Sequence, residues 1–130
     1  MVNIDRLKAV AETIREKQKV DDRNLVAKVV GVSFDGRQNI LRATERSTKL
    51  KLERDRRNEF DFYAVKVMAL IEETWEQVGF LPQRMANMVS KNMDNGIKYT
   101  ADFHKKVGGG THSFTGEELS LGLEITVKPE

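Results

Sequence analysis

Apolar residues recur along this chain first at helical spacing and then mostly at alternating positions. Ile4, Leu7, Val10, Ala11 and Ile14 fall on one face of a helix, with Asn3 placed to cap its start and charged residues on the opposite face. The period lapses over residues 17–24, which read as a linker. Leu25 to Phe34 is apolar and β-branched and stops at Asp35-Gly36, the pattern of a buried strand and a turn. A short helix over Arg37 to Ala43 places Ile40 and Leu41 inward. Lys49 to Glu53 alternates polar and apolar, and Ala64 to Ile71 and Gln77 to Leu81 give two further strands. After Pro82 the period becomes helical again, with Met85, Met88, Val89 and Met93 on one face until Asp94-Asn95-Gly96 breaks it. The methionine row reads as core packing. Ile97, Tyr99, Ala101 and Phe103 alternate with polar residues, Gly108-Gly109-Gly110 forms a connector, and Leu119, Leu121, Leu123, Ile125 and Val127 make the last strand.

About six strands and two or three short helices, with no long crossover helices, predict a mainly β fold: a small antiparallel six-stranded β-barrel, OB-like, with an added N-terminal helix. The expected division is an amphipathic helix and linker over 1–24 and a barrel domain over 25–130. At 130 residues the chain is large enough for one core without staples.

Composition narrows the chemistry. Without cysteine there are no disulfides, zinc–thiolate sites or cysteine nucleophiles, which fits a reducing compartment. The charged N-terminal residues exclude the apolar core of a signal peptide, and no stretch has the apolar length of a membrane span, so a cytoplasmic location is expected. His104 and His112 are the only imidazoles and share no ligand spacing, so no metal and no cofactor are expected. The adjacent pairs Asp21-Asp22, Glu72-Glu73 and Glu117-Glu118 are more use for solubility than for acid–base work, since neighbours on a strand point to opposite faces. The triple glycine lacks the Lys and Ser/Thr of a phosphate loop, and there is no Gly-x-Ser-x-Gly elbow. None of this supports an enzyme.

Charge is nearly balanced, 22 basic residues against 20 acidic, so net charge does not argue for nucleic acid. Its distribution is more informative. Arg46, Lys49, Lys51, Arg54, Arg56 and Arg57 stand against only Glu53 and Asp55 in one short stretch. Directly after it come Asn58, Phe60, Asp61, Phe62 and Tyr63. Aromatic faces that stack unpaired bases, basic groups for phosphates and an acceptor for a terminal hydroxyl are what the end of a single strand requires. Alternation alone would send two of these rings into the core, so both uses stay open at this level.

Val29-Val30-Gly31-Val32, the segment Asn58 to Val67 and Val78-Gly79-Phe80-Leu81-Pro82 carry, in order, a pattern that resembles the HIRAN domain family across about residues 27 to 127. The resemblance implies an antiparallel barrel and a DNA reader that captures the 3′ end of single-stranded DNA, in a repair, replication or phage setting. It places Phe34 and Phe60 where the family stacks aromatics on terminal bases, Asp61 on the carboxylate that accepts from the 3′ hydroxyl and Asn58 on the Asn of the same loop. Phe114 matches a later aromatic. Glu59 replaces the usual Pro, Tyr63 the usual Asn, and Phe80 a frequent Tyr or His. Ser33 and Gln83 stand where some DNA-reading members have basic residues, for which Arg54, Arg56 and Arg57 could compensate. The expected function is therefore non-catalytic capture of single-stranded DNA. The alternative is a protein-interaction module that uses the N-terminal helix or the exposed aromatics.

Overall fold

The computed structural model describes residues 25–34, 36–111, 113–117 and 119–130. The expected N-terminal helix and linker lie outside the described residues, as does His112.

Six strands form one antiparallel sheet: β1 (Leu25–Lys28), β2 (Leu50–Arg54), β3 (Val65–Ile71), β4 (Thr74–Phe80), β5 (Tyr99–Gly108) and β6 (Leu121–Pro129), in the spatial order β1-β6-β5-β2-β3-β4. Two helices lie among them, α1 (Arg37–Ala43) and α2 (Gln83–Asp94). Alternation decides which face is dry. Val65, Val67 and Ala69 of β3 and Leu123, Ile125 and Val127 of β6 are fully buried and belong to one core. The α2 methionines Met85, Met88 and Met93 pack against that core, as their spacing predicts, and Gly96, at φ 89°, ends the helix region in a left-handed turn.

The expected barrel is corrected by the topology, because the sheet does not close. Among the described residues the two edges meet in one isolated bridge, between Val30, two residues beyond β1, and Phe80 at the end of β4, whose N–H groups and carbonyls exchange two 2.9 Å bonds. Gly31 follows at φ 70°, a left-handed conformation that takes the chain out of extended geometry before a ladder can develop. Helix α1 then packs against β4 and β6 and sends Leu41 fully into the core.

Several strand limits also differ from the expectation, the last two strands starting at Tyr99 and Leu121 instead of Ile97 and Leu119, and two other differences have a visible cause. The strand expected over Leu25 to Phe34 ends at Lys28, because Val29 donates to Leu123 of β6 while Val30 turns to Phe80 of β4. In the other direction β4 begins at Thr74 instead of Gln77, since Glu72 and Glu73, at φ 47° and 70°, form a two-residue hairpin turn closed by the Ile71–Thr74 pair.

The bridge is possible because residue 79 has no side chain. A Cβ there would meet Val29 Cγ1 at 2.7 Å and run into the Val30 carbonyl oxygen. The sequence Gly79-Phe80-Leu81 thus lets the strand pass close behind Val30 and delivers Phe80 to the surface beside it.

Candidate nucleic-acid interface

The loop from Asp55 to Ala64 is built by its own polar side chains. Asn58 Oδ1 accepts from the N–H groups of Phe60 and Asp61, both at 2.9 Å, and its Nδ2 donates to Asp55 Oδ2 at 3.2 Å. Asp61 Oδ1 accepts from the Tyr63 N–H at 2.9 Å. These are side-chain mimics of backbone turns, the usual reason for Asn and Asp in loops. Backbone bonds from Asp55 to Ala64 and from Ala64 to Asp61 close the base. Asp61 Oδ2 has no partner among the described residues.

The loop is anchored from outside by Arg54. Its Nε and Nη2 each donate to Asp94 at the end of α2 at 3.1 Å, and its Nη1 donates to the carbonyls of Phe62 and Ala64. Arg56 adds a 2.8 Å bond to the same carboxylate. These bonds, with that from Arg54 first, hold the Asp94 carboxyl below its ordinary value. Arg54 is only 10 % exposed. Four of its five N–H donors are engaged within the protein, so its main work is to shape the loop. Arg56 is 63 % exposed and Arg57 is exposed, so these two retain access to solvent.

Five of the residues singled out in the sequence come together. Asn58, Phe60, Asp61, Phe80 and Gln83 line one cleft of about 340 Å³, completed by Val30, Ala64 and Leu81. That size falls in the range of small-ligand clefts, about 300 to 1,000 Å³. Phe60 is 95 % exposed, a high exposure for a ring that no core requires. Phe34 is also exposed, and its ring stands with that of Phe80 against Gly31, so it flanks the cleft. Phe114 is exposed in the loop between β5 and β6 and is not part of the cleft wall.

Two contributions escaped the sequence reading. Arg37 donates to the Gly31 carbonyl at 2.7 Å and lays its guanidinium 5.3 Å from the centre of the Phe80 ring, fixing that ring and bringing a positive charge to the cleft margin. Helix α2 starts at the cleft with no side-chain cap, so the first-turn N–H groups, in the stretch that contains Gln83 and the exposed Arg84, carry the positive end of the helix dipole. Pro82 before a helix was the available signal for the second. No local pattern marks Arg37, which reaches Phe80 across 43 residues of sequence.

Among the described residues no three His, Asp or Glu side chains are grouped to hold a metal ion, and no helix is long and apolar enough to cross a membrane. The arrangement offers an apolar, aromatic cleft with one unpaired carboxylate oxygen and a positive margin, a set suited to binding.

The crystal structure of the HIRAN domain of human HLTF is similar in fold, with a TM-score of 0.52 and 21 % identity over 81 % of this chain and 76 % of that one. No curated protein matches. The HIRAN domain family profile matches residues 15–128, nearly the whole sequence, and the chain therefore belongs to the HIRAN domain family, a family of DNA-binding modules.

Proposed function

We propose that the protein captures single-stranded DNA at a free 3′ end without altering it. The observation that carries this reading is the cleft itself, where Phe60, Phe80, Asn58, Asp61 and Gln83 converge from the 58–61 loop, the end of β4 and the start of α2. In this reading the terminal bases stack on Phe60 and on Phe34 at the flank, each stacking contact worth about 1 to 3 kcal/mol. Asp61 keeps one oxygen on the Tyr63 N–H and offers the other to the 3′ hydroxyl. The start of α2 and the exposed Arg56 and Arg57 face phosphates. Gln83 on the cleft wall adds a neutral hydrogen-bonding group. A role at DNA ends in repair, replication or phage DNA metabolism follows from such capture.

The test is binding of short oligonucleotides that end in a 3′ hydroxyl or a 3′ phosphate, with a circular single strand as the end-free control. Preference for the hydroxyl supports the proposal. Equal binding across the set sinks end capture, and absent binding favours the protein-interaction reading.

A further inference from the structure

Phe62 and Tyr63 follow Asp61 but leave the cleft. Neither belongs to the core, Phe62 is 59 % exposed and Tyr63 38 %, and their rings meet edge to face with centroids 5.4 Å apart. Burial therefore does not explain two adjacent aromatic rings here. Each ring has a cation over it, Arg54 at 5.6 Å from Phe62 and Lys91 at 5.2 Å from Tyr63. The two cations differ in availability. Arg54 is neutralised by Asp94, whereas Lys91 is exposed and makes no ion pair among the described residues. Exposed Arg56 is bonded to the same Asp94 carboxylate as Arg54.

We infer that Phe62, Tyr63 and Lys91 form a second subsite, a ledge that carries the nucleotides leading into the end cleft. The inference rests on the proposed function and extends it. Continuity supports it: Phe60 and Asp61 line the cleft and Phe62 and Tyr63 are the next residues, with the Asp61–Tyr63 bond fixing one to the other. On the opposite side Gln83 lines the cleft and Lys91 lies eight residues further along α2, a rise of about 12 Å. The ledge thus runs from the cleft along the helix. Its chemistry selects the occupant. Flat apolar faces with an uncompensated ammonium fit an anionic polymer whose units have faces to stack, which describes a single nucleic-acid strand and not an acidic peptide.

Affinities of the wild type, of Phe62→Ser with Tyr63→Ser and of Lys91→Gln for a thymidine dinucleotide, a ten-nucleotide oligothymidylate and a circular single strand test this. The ledge predicts that the double variant loses about tenfold affinity for the ten-mer and keeps its dinucleotide affinity. Lys91→Gln, which alters no loop residue, should lower the salt dependence for the ten-mer by about 0.7 in logarithmic slope. Equal losses for both lengths, or an unchanged ten-mer affinity with an unchanged slope, overturn the ledge. If wild type shows no 3′-hydroxyl preference yet the variants still weaken ten-mer and circular-strand binding, the ledge stands and the end cleft fails. If the hydroxyl preference is present and the variants change nothing, the cleft stands alone. A wild type that binds none of the three removes both.

Discussion

Arg54 and Asp94 lie 40 residues apart and meet through two parallel bonds, Nε to Oδ1 and Nη2 to Oδ2, both 3.1 Å. The pair ties the end of β2 to the end of α2, and the remaining guanidinium nitrogen holds the carbonyls of Phe62 and Ala64. The loop that presents Phe60 and Asp61 is therefore clamped at its base from a helix whose other end forms the cleft wall.

Asp94 makes this clamp pH-sensitive. Arg54 first, and then Arg56, hold its pKa below the ordinary value of 3.8. A carboxylate whose folded-state pKa is depressed contributes stability that is fully present above its unfolded value and disappears as pH falls through the folded one. Asp94→Asn should melt below wild type at neutral pH, and the difference should close as pH drops below 3.8. Thermal melts of both proteins across that range check this, and a difference constant with pH would remove the charge from the explanation.

Asp61 has a turn-forming oxygen and a free one, so substitution can separate the two roles. Asp61→Asn keeps an acceptor for the Tyr63 N–H and should leave the melting temperature nearly unchanged. It should reduce the preference for a 3′ hydroxyl over a 3′ phosphate by about tenfold, the scale of one hydrogen bond to a charged group. A destabilised protein with unchanged end preference would make Asp61 a turn residue only.

The β3–β4 hairpin holds Glu72 and Glu73 at positive φ, where turns of this length favour Asn and Gly. Side chains pay about 1 to 2 kcal/mol per residue for that conformation. Glu72→Asn combined with Glu73→Gly should raise stability by about 1 to 2 kcal/mol, read as a higher urea midpoint with an unchanged slope. No gain would mean that the glutamates have compensating contacts in solution.

Gly79→Ala should do the reverse. The new methyl group would press on Val29 and on the Val30 carbonyl, and the backbone cannot yield without opening the bridge to Phe80. We expect a loss of about 1 to 3 kcal/mol with weakened oligonucleotide binding, because Val30 and Phe80 both line the cleft. Wild-type stability in this variant would show that the approach is looser than described.

Helix α1 was legible in sequence because its signals are local: the Asp35-Gly36 turn precedes it and Ile40 and Leu41 give it an apolar face. The alternation of β5 and β6 was legible in local periodicity, as were the apolar run of β3 and the helix that Gly96 stops. The residue types of the 58–61 loop also announced themselves, since Asn58 and Asp61 form turns with N–H groups two or three positions away. What sequence left undecided were choices among distant partners. Whether the sheet closed depended on how far the pairing of Val30 with Phe80 could extend, and the start of β4 on a turn made from two glutamates, a pair that no turn preference favours. Nothing near Arg54 in the sequence announces Asp94 as its partner, and nothing near Arg37 announces Phe80. Periodicity and turn chemistry act over a few residues and are written in the chain. The pairing of a charge or an edge strand depends on which distant group arrives beside it, and only the tertiary structure decides that.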